Sequence, residues 1–400
     1  MPPDALRLLL GAFGDPGHAF PMIALGRALR RRGHEVVLQT WRRWRELVEA
    51  EGMRFEAAPE YQVFPTADTS LTPYEAVARA TADTRPLVAS LRPDAVIADI
   101  LTLAPALAGE IEGVPVATLI PHVDPRVADG FPPFSIGARL PRTAAGRALW
   151  RSVDRGVDVG LARGRAELNA VRVQLGLPAL SSVHGGISRE LCLVATFPQL
   201  EYPRVWPART HVVGPMLWEP PAAEVPLPPG DGPLVLVAPS TSQDRSCRLV
   251  RAALEGLARL PVRVLVAGVR EAPDPPLAVP ANARVVEWAS YARTMPGCDV
   301  VLCHGGHGTV ARALASGCVV VCVPAGGDMN ENAARVDWAG VGVRLPRRLC
   351  TPWAVRLAVQ RALGEPRLAR RAAELAVWAA GRDAGLQAAR RVEELVAERR

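Results

Sequence analysis

Cys303-His304-Gly305-Gly306-His307-Gly308-Thr309, followed by Pro324-Ala325-Gly326-Gly327-Asp328-Met329-Asn330-Glu331-Asn332-Ala333, carries the strongest signal in this chain. The apolar run Val300, Val301, Leu302 leads in and a helical pattern (Val310, Ala311, Leu314, Ala315) leads out. The glycines therefore sit at a strand-to-helix turn. Such a turn suits phosphate: glycine lets the backbone approach an anion, the first helical amides have no internal partner, and the helix dipole favours negative charge there. His304 adds a side-chain donor. A second strand, Val319 to Val323, leads to a loop whose carboxylate, Asp328, is placed to grip hydroxyl groups beside that phosphate. Phosphate next to a polyol points to a nucleotide sugar.

His-Gly-Gly-x-Gly-Thr and, some twenty residues on, Gly-Asp-x-x-x-Asn-Ala resemble the donor-site signature of the family-1 glycosyltransferases. The N-terminal Gly14-Asp15-Pro16-Gly17-His18-Ala19-Phe20-Pro21 resembles that family's Gly-His-x-x-Pro acceptor-site segment, so the likeness spans nearly the whole chain. It is nearest in flavour to actinobacterial enzymes that glycosylate natural products, antibiotics among them. The resemblance implies the α/β fold called GT-B, two Rossmann-like domains whose parallel sheets face across a cleft.

Composition agrees with a two-domain globular chain. The length of 400 residues allows two cores, with 49% hydrophobic and 22% charged residues. All 47 basic residues are Arg and none is Lys, a coding bias rather than a nucleic-acid footprint. Arg30-Arg31-Arg32 and Arg42-Arg43 lack a ladder of stacking aromatics, so no nucleic-acid partner is expected. The net charge of +7 favours a dianionic donor. The seven cysteines are odd in number and several lie in apolar runs, as free buried thiols do in a reducing compartment. With no leader pattern and no apolar run of spanning length, a cytoplasmic protein without stable membrane insertion is expected, a monomer or homodimer.

Apolar β-rich runs alternate with helical patterns in both halves: Leu8 to Phe13, Val36 to Gln39, Ala95 to Asp99, Val116 to Ile120 and Leu191 to Ala195, then Leu234 to Ala238, Val262 to Ala267, Val300 to Cys303 and Val319 to Val323. Such alternation predicts parallel sheets wrapped by helices. A proline-rich stretch (217–230) reads as a linker between an acceptor-binding domain (1–216) and a donor-binding domain (231–371). In a GT-B fold the helical tail (372–400) would pack back towards the first domain. Irregular segments containing Phe64, Phe131 and Phe134 are either surface cover or the walls of an apolar acceptor pocket.

Glycosyl transfer needs a base, a clamp for the departing diphosphate and grips for the sugar. His18 follows a glycine-rich turn after the first strand, at the carboxyl edge of the sheet where ligands bind. By resemblance it is the catalytic base; the competing reading is a helix cap. Asp99 ends the run Ala95-Val96-Ile97-Ala98 and matches the family's aspartate that orients the histidine; alternatively it caps the helix from Leu103. His304 and the amides around Gly305, Gly306, Gly308 and Thr309 are the diphosphate clamp, with no metal or other cofactor expected. A zinc site of Cys298, Cys303, His304 and His307 lacks paired Cys-x-x-Cys spacing. His307, at the family's variable position, reads as a loop residue. Asp328 grips sugar hydroxyls, while Asn332 supports the loop or caps the next helix. Met329 stands where many relatives have Gln, which favours a deoxysugar. Trp288 either stacks near the base or packs, and Ser240 and Thr241 are phosphate hydroxyls or turn filler.

A dinucleotide site is disfavoured, because Gly11, Gly14 and Gly17 are spaced wrongly and no acid follows the second strand. The expected activity is inverting transfer from a dTDP- or UDP-sugar to a hydrophobic natural-product hydroxyl. Alternatives are a glycolipid or cell-wall precursor glycosyltransferase, a nucleotide-sugar epimerase, and a noncatalytic donor-binding partner or activator.

Overall fold

A computed structural model describes residues 5–59, 73–182, 184–240, 244, 246–269 and 274–400. Thr241 and Phe64 lie outside these. The first half runs β1 (Arg7–Gly11), α1 (Pro16–Arg31), β2 (Glu35–Thr40), α2 (Arg45–Ala50), β3 (Arg54–Ala57), α3 (Pro73–Leu91), β4 (Ala95–Asp99), α4 (Leu103–Ile111), β5 (Val116–Ile120), α5 (Ala144–Gln174), β6 (Leu191–Val194) and β7 (Thr210–Val212). The second runs β8 (Leu234–Ala238), α6 (Arg248–Leu257), β9 (Arg263–Ala267), β10 (Ala283–Val286), α7 (Tyr291–Thr294), β11 (Val300–Cys303), α8 (His307–Ala315), β12 (Val319–Cys322), α9 (Asp328–Ala339) and β13 (Gly342–Arg344), then α10 (Pro352–Gly364), α11 (Pro366–Ala380) and α12 (Ala384–Ala397).

Among the described residues the strands form two parallel sheets, ordered β3-β2-β1-β4-β5-β6-β7 and β10-β9-β8-β11-β12-β13. The central strands are runs of Val, Leu, Ile and Ala buried on both faces, the pattern of a parallel sheet sandwiched by helices. In each sheet the order reverses once, between β1 and β4 and between β8 and β11. The loops leaving those strands diverge and open a crevice at their carboxyl ends. This is the expected α/β architecture. The edge strands β3, β7 and β13 escape sequence reading because, unlike the equally short but wholly apolar β11 and β12, they are interrupted by polar residues or glycine (Arg54 and Glu56, Thr210 and His211, Gly342 and Arg344).

Local chemistry sets the helix starts. Proline occupies the first turn of α1, α10 and α11, and Thr143, Thr351 and Asp383 accept backbone amides as side-chain caps of α5, α10 and α12. The last helix, α12, crosses back onto α1, burying Ala388, Ala389, Val392, Leu395 and Val396 in the core of the first sheet. Arg32 and His34 hold its Glu393 at 2.5 and 2.8 Å. The segment joining the sheets is tied at its start to both: Trp218 Nε1 donates to Glu51 at 2.6 Å, and Glu219 accepts from the Ala292 amide at 3.1 Å. Among the described residues no helix is long and apolar enough to cross a membrane.

Candidate active site

The first switch point carries an imidazole and a carboxylate. β1 ends at Gly11, the chain turns through Phe13 and Gly14, and α1 begins at Pro16, which puts His18 in its first turn. Gly14 has no room for a side chain: an added Cβ would lie 1.9 Å from the Trp41 ring. β4 pairs with β1 and delivers Asp99, 1% exposed, beside that turn. His18 Nδ1 lies 2.7 Å from Asp99 Oδ1, and the Phe13 amide donates to Oδ2 at 3.0 Å. A carboxylate only accepts, so Nδ1 carries the proton and Nε2 keeps its lone pair. Asp99 does not cap α4, whose N-terminal flank is Thr102, and the His18 side chain serves the carboxylate rather than a helix end.

Burial works against protonation of His18, yet the Asp99 charge and hydrogen bond outweigh it and hold the imidazole above its ordinary value. Burial likewise pushes Asp99 up, but His18 and the Phe13 and Leu101 amides bring it below the usual carboxylate range. The pair is therefore a basic imidazole oriented by a permanent anion.

The second switch point carries His304 and the glycine turn that opens α8. His304 leaves β11 with its Nδ1 3.1 Å from the Ala238 carbonyl, so that nitrogen donates and Nε2 bears the lone pair. An added Cβ on Gly306 would lie 2.4 Å from Nε2, so the imidazole lies across the head of α8, which starts at His307. The amides of His307, Gly308 and Thr309 are first-turn donors of that helix. Gly305 adopts φ +85°, and a Cβ there would meet the Met329 carbonyl at 3.0 Å; only glycine fits both demands. Asn332 Nδ2 donates to the Gly305 carbonyl at 2.9 Å from inside α9, so it supports the loop and does not cap the helix. Asp328 opens α9 rather than standing in a free loop, and its charge reaches His18, His122 and His304.

His307 corrects its expectation as a loop residue. It is the first residue of α8, buried beside Asn332 and the Ala195 backbone, and burial pushes its pKa down to about 4. Ser240 is buried just past β8. Trp288 is 42% exposed, which leaves an indole face open beyond β10 rather than packed away.

Of the phenylalanines expected to line an acceptor pocket, Phe131 and Phe134 are described, and their rings meet different partners. Phe134 stacks on His122 at 5.9 Å, and His122 in turn meets His18 edge-on at 6.3 Å. Phe131 packs edge-on against Tyr202, towards a buried ion network instead. His122 itself is missed by motif reading: it sits two residues past β5 in a segment without a period, and only its place beside β4 at the sheet's carboxyl edge could have flagged it.

That network holds Asp124, Glu201 and Glu331 against Arg126, Arg204 and Arg335, three charges of each sign. Arg335 on α9 donates to Glu331 at 2.8 Å and, across to the first half, to Glu201 at 3.1 Å and the Leu200 carbonyl at 2.9 Å. Its guanidinium lies 3.6 Å from the centre of the Tyr202 ring. A crevice of about 650 Å³ lies elsewhere, beside Arg27, Arg31 and Ala315 at the far ends of α1 and α8, away from these groups.

Known proteins resemble this chain in sequence and in fold. Residues 251–395 match the family described as erythromycin biosynthesis protein CIII-like, C-terminal domain. The chain is 30% identical to the 4'-demethylrebeccamycin synthase of Lentzea aerocolonigenes, over 98% of this chain and 99% of that protein. It is 29% identical to the O-mycaminosyltylonolide 6-deoxyallosyltransferase of Streptomyces fradiae, over 92% and 93%. Among solved structures, the glycotransferase of kitacinnamycin superposes with a TM-score of 0.78 at 21% identity, covering 98% of this chain and 99% of that one.

Proposed function

Since the chain belongs to the family-1 glycosyltransferases of antibiotic-biosynthesis type, with the GT-B fold, we propose that it transfers a sugar with inversion from a dTDP- or UDP-sugar to a hydroxyl of a hydrophobic natural-product acceptor. The observation that supports this most directly is the His18–Asp99 pair at one switch point, within electrostatic reach of Asp328 from the other. In this reading His18 Nε2 takes the acceptor proton as the hydroxyl oxygen attacks the anomeric carbon. The bond to the diphosphate breaks on the opposite face, and its electron pair leaves with the phosphate oxygen. One displacement inverts the centre. His304 and the α8 amides receive the developing charge, and Asp328 holds sugar hydroxyls. Met329 offers a thioether where an amide would demand a partner, which suits a deoxygenated carbon. The Streptomyces fradiae relative is named for a 6-deoxy sugar, in keeping with that choice.

Calorimetric titration of dTDP and UDP in EDTA tests the donor site. Binding of either nucleotide is expected, weakened by about 1.5–3 kcal/mol in His304→Ala, the range for hydrogen bonds to a charged group. Absence of binding by both would overturn the reading.

A proton accompanies this binding. Burial holds free His304 below its ordinary pKa, and its Nδ1 proton is committed to Ala238, so Nε2 must gain a proton to donate to phosphate. A raised pKa in the complex means proton uptake, so affinity falls as pH rises between the free and bound values, by up to about tenfold per pH unit. Calorimetry in buffers of different ionisation enthalpy should show the uptake, and His304→Ala should abolish it. Gly306→Ala, which displaces the imidazole, is expected to weaken dTDP binding to about the same extent as His304→Ala.

A further inference from the structure

His122 is an imidazole beside His18 for which the mechanism above has no task. Its Nδ1 lies 2.7 Å from the Val123 carbonyl, so that nitrogen donates and Nε2 is left with a lone pair. The ring is clamped nearly parallel to Phe134, at 25°, and stands edge-on to His18. Among the described residues no carboxylate is bonded to it, unlike His18, so it lacks there the partner that makes an imidazole a strong base. Burial and the neighbouring His18 keep it below its ordinary pKa, while the Val123 carbonyl, Asp328 and Asp99 pull weakly the other way; its field also reaches His307 on α8. A clamp for phosphate would need a proton there. What the geometry offers is a hydrogen-bond acceptor fixed in direction, one ring away from the base.

We propose that His122 is a specificity-determining residue for the acceptor: its Nε2 lone pair takes a hydrogen bond from a second hydroxyl or N–H adjacent to the hydroxyl that His18 deprotonates. The inference rests on the reading of His18 as the base and of Phe134 as part of the acceptor pocket. It selects acceptors bearing two neighbouring donors, because a lone hydroxyl engaged by His18 leaves His122 unpaired on a desolvated wall. The segment that carries Phe134 is docked onto α9 by Asn330, whose Nδ2 donates to the Ser135 carbonyl at 3.3 Å. The ring that holds His122 is thereby fixed against the donor-binding half.

The test uses the full chain, dTDP, and two flat acceptor surrogates, alizarin with adjacent hydroxyls and its monohydroxy analogue. Binding is measured by fluorescence with dTDP present. Wild type is expected to favour alizarin by about two- to tenfold, the worth of one neutral hydrogen bond. His122→Phe keeps a ring against Phe134 and is expected to bind both surrogates alike, with affinity for the monohydroxy compound and for dTDP unchanged. Nitrogen-15 NMR of labelled histidine should find His122 as the Nδ1–H tautomer, its Nε2 resonance shifting on addition of alizarin only. An unchanged preference in His122→Phe, equal weakening of both surrogates, or weaker binding of dTDP-glucose but not dTDP would each overturn the proposal. The last result would assign His122 to the sugar. If wild type binds neither surrogate, the hydrophobic-acceptor reading falls with it, whereas failure of the base reading is seen separately in His18→Ala.

Discussion

Replacing His18 by alanine is expected to lower kcat by about 10²–10⁴-fold, the usual contribution of a positioned general base, and to leave dTDP affinity unchanged. The base acts only when Nε2 is unprotonated. Because Asp99 raises the His18 pKa, kcat/KM should climb with pH and level off only above the ordinary histidine value. Asp99→Asn removes the anion and leaves burial opposed only by the lesser pull of Asp15 and Asp328, so the acidic limb of the profile should move to lower pH. The plateau should still fall, since an amide no longer enforces the Nδ1–H tautomer or stabilises the imidazolium formed during transfer. Paired pH profiles check both statements. A His18→Ala enzyme with wild-type kcat would remove the histidine from the chemistry, and an unshifted limb in Asp99→Asn would mean that the limb belongs to another group.

Arg335→Met should be the most damaging single change to stability away from the base, at about 3–5 kcal/mol, because it strands carboxylates that stay buried. Glu331 loses its 2.8 Å partner, and Glu201 is left with Arg204 at 3.3 Å as its cation and the Asp124 amide at 2.7 Å. Burial already pushes Glu201 above the usual carboxylate range despite Arg335 and Arg204, so it tolerates little further loss. Because Arg335 and Asp328 share α9, the variant should also bind dTDP-sugar less well than dTDP alone requires. Chemical denaturation followed by titration of dTDP and dTDP-glucose reads both effects. A change below about 1 kcal/mol would show that the network behaves as a surface pair does. Adding Glu331→Leu to Arg335→Met should recover part of the loss, since a carboxylate without its cation is replaced by an apolar side chain.

Much of this enzyme is legible in a linear reading wherever neighbours in sequence settle the question. Val300 to Cys303 is a strand because every side chain is apolar and the run is short; the glycines after it make a turn; α8 follows from its own spacing. The same holds for Ala95 to Asp99 and for the turn that carries His18. The places where the reading slips depend on distant residues. His307 looks like loop because nothing local says that Ala195 and Asn332 will bury it. Phe131 and Phe134 look equivalent, and the surfaces they meet, Tyr202 for one and His122 for the other, separate them.

The sequence by itself determined which segments are strands and helices, where the glycine turns fall, and which residue types could do the chemistry, because local sterics and hydrophobic period act over a few residues. Only the tertiary structure decided which of them meet. His18 and Asp99 lie 81 residues apart, and they touch because β1 and β4 are paired in one particular register. His122 enters the site because β5 lies next to β4, and Arg335 joins the halves because α9 packs against the segment around Glu201. Strand order and register are collective outcomes of burying two sheets at once, so no single stretch of the chain carries them.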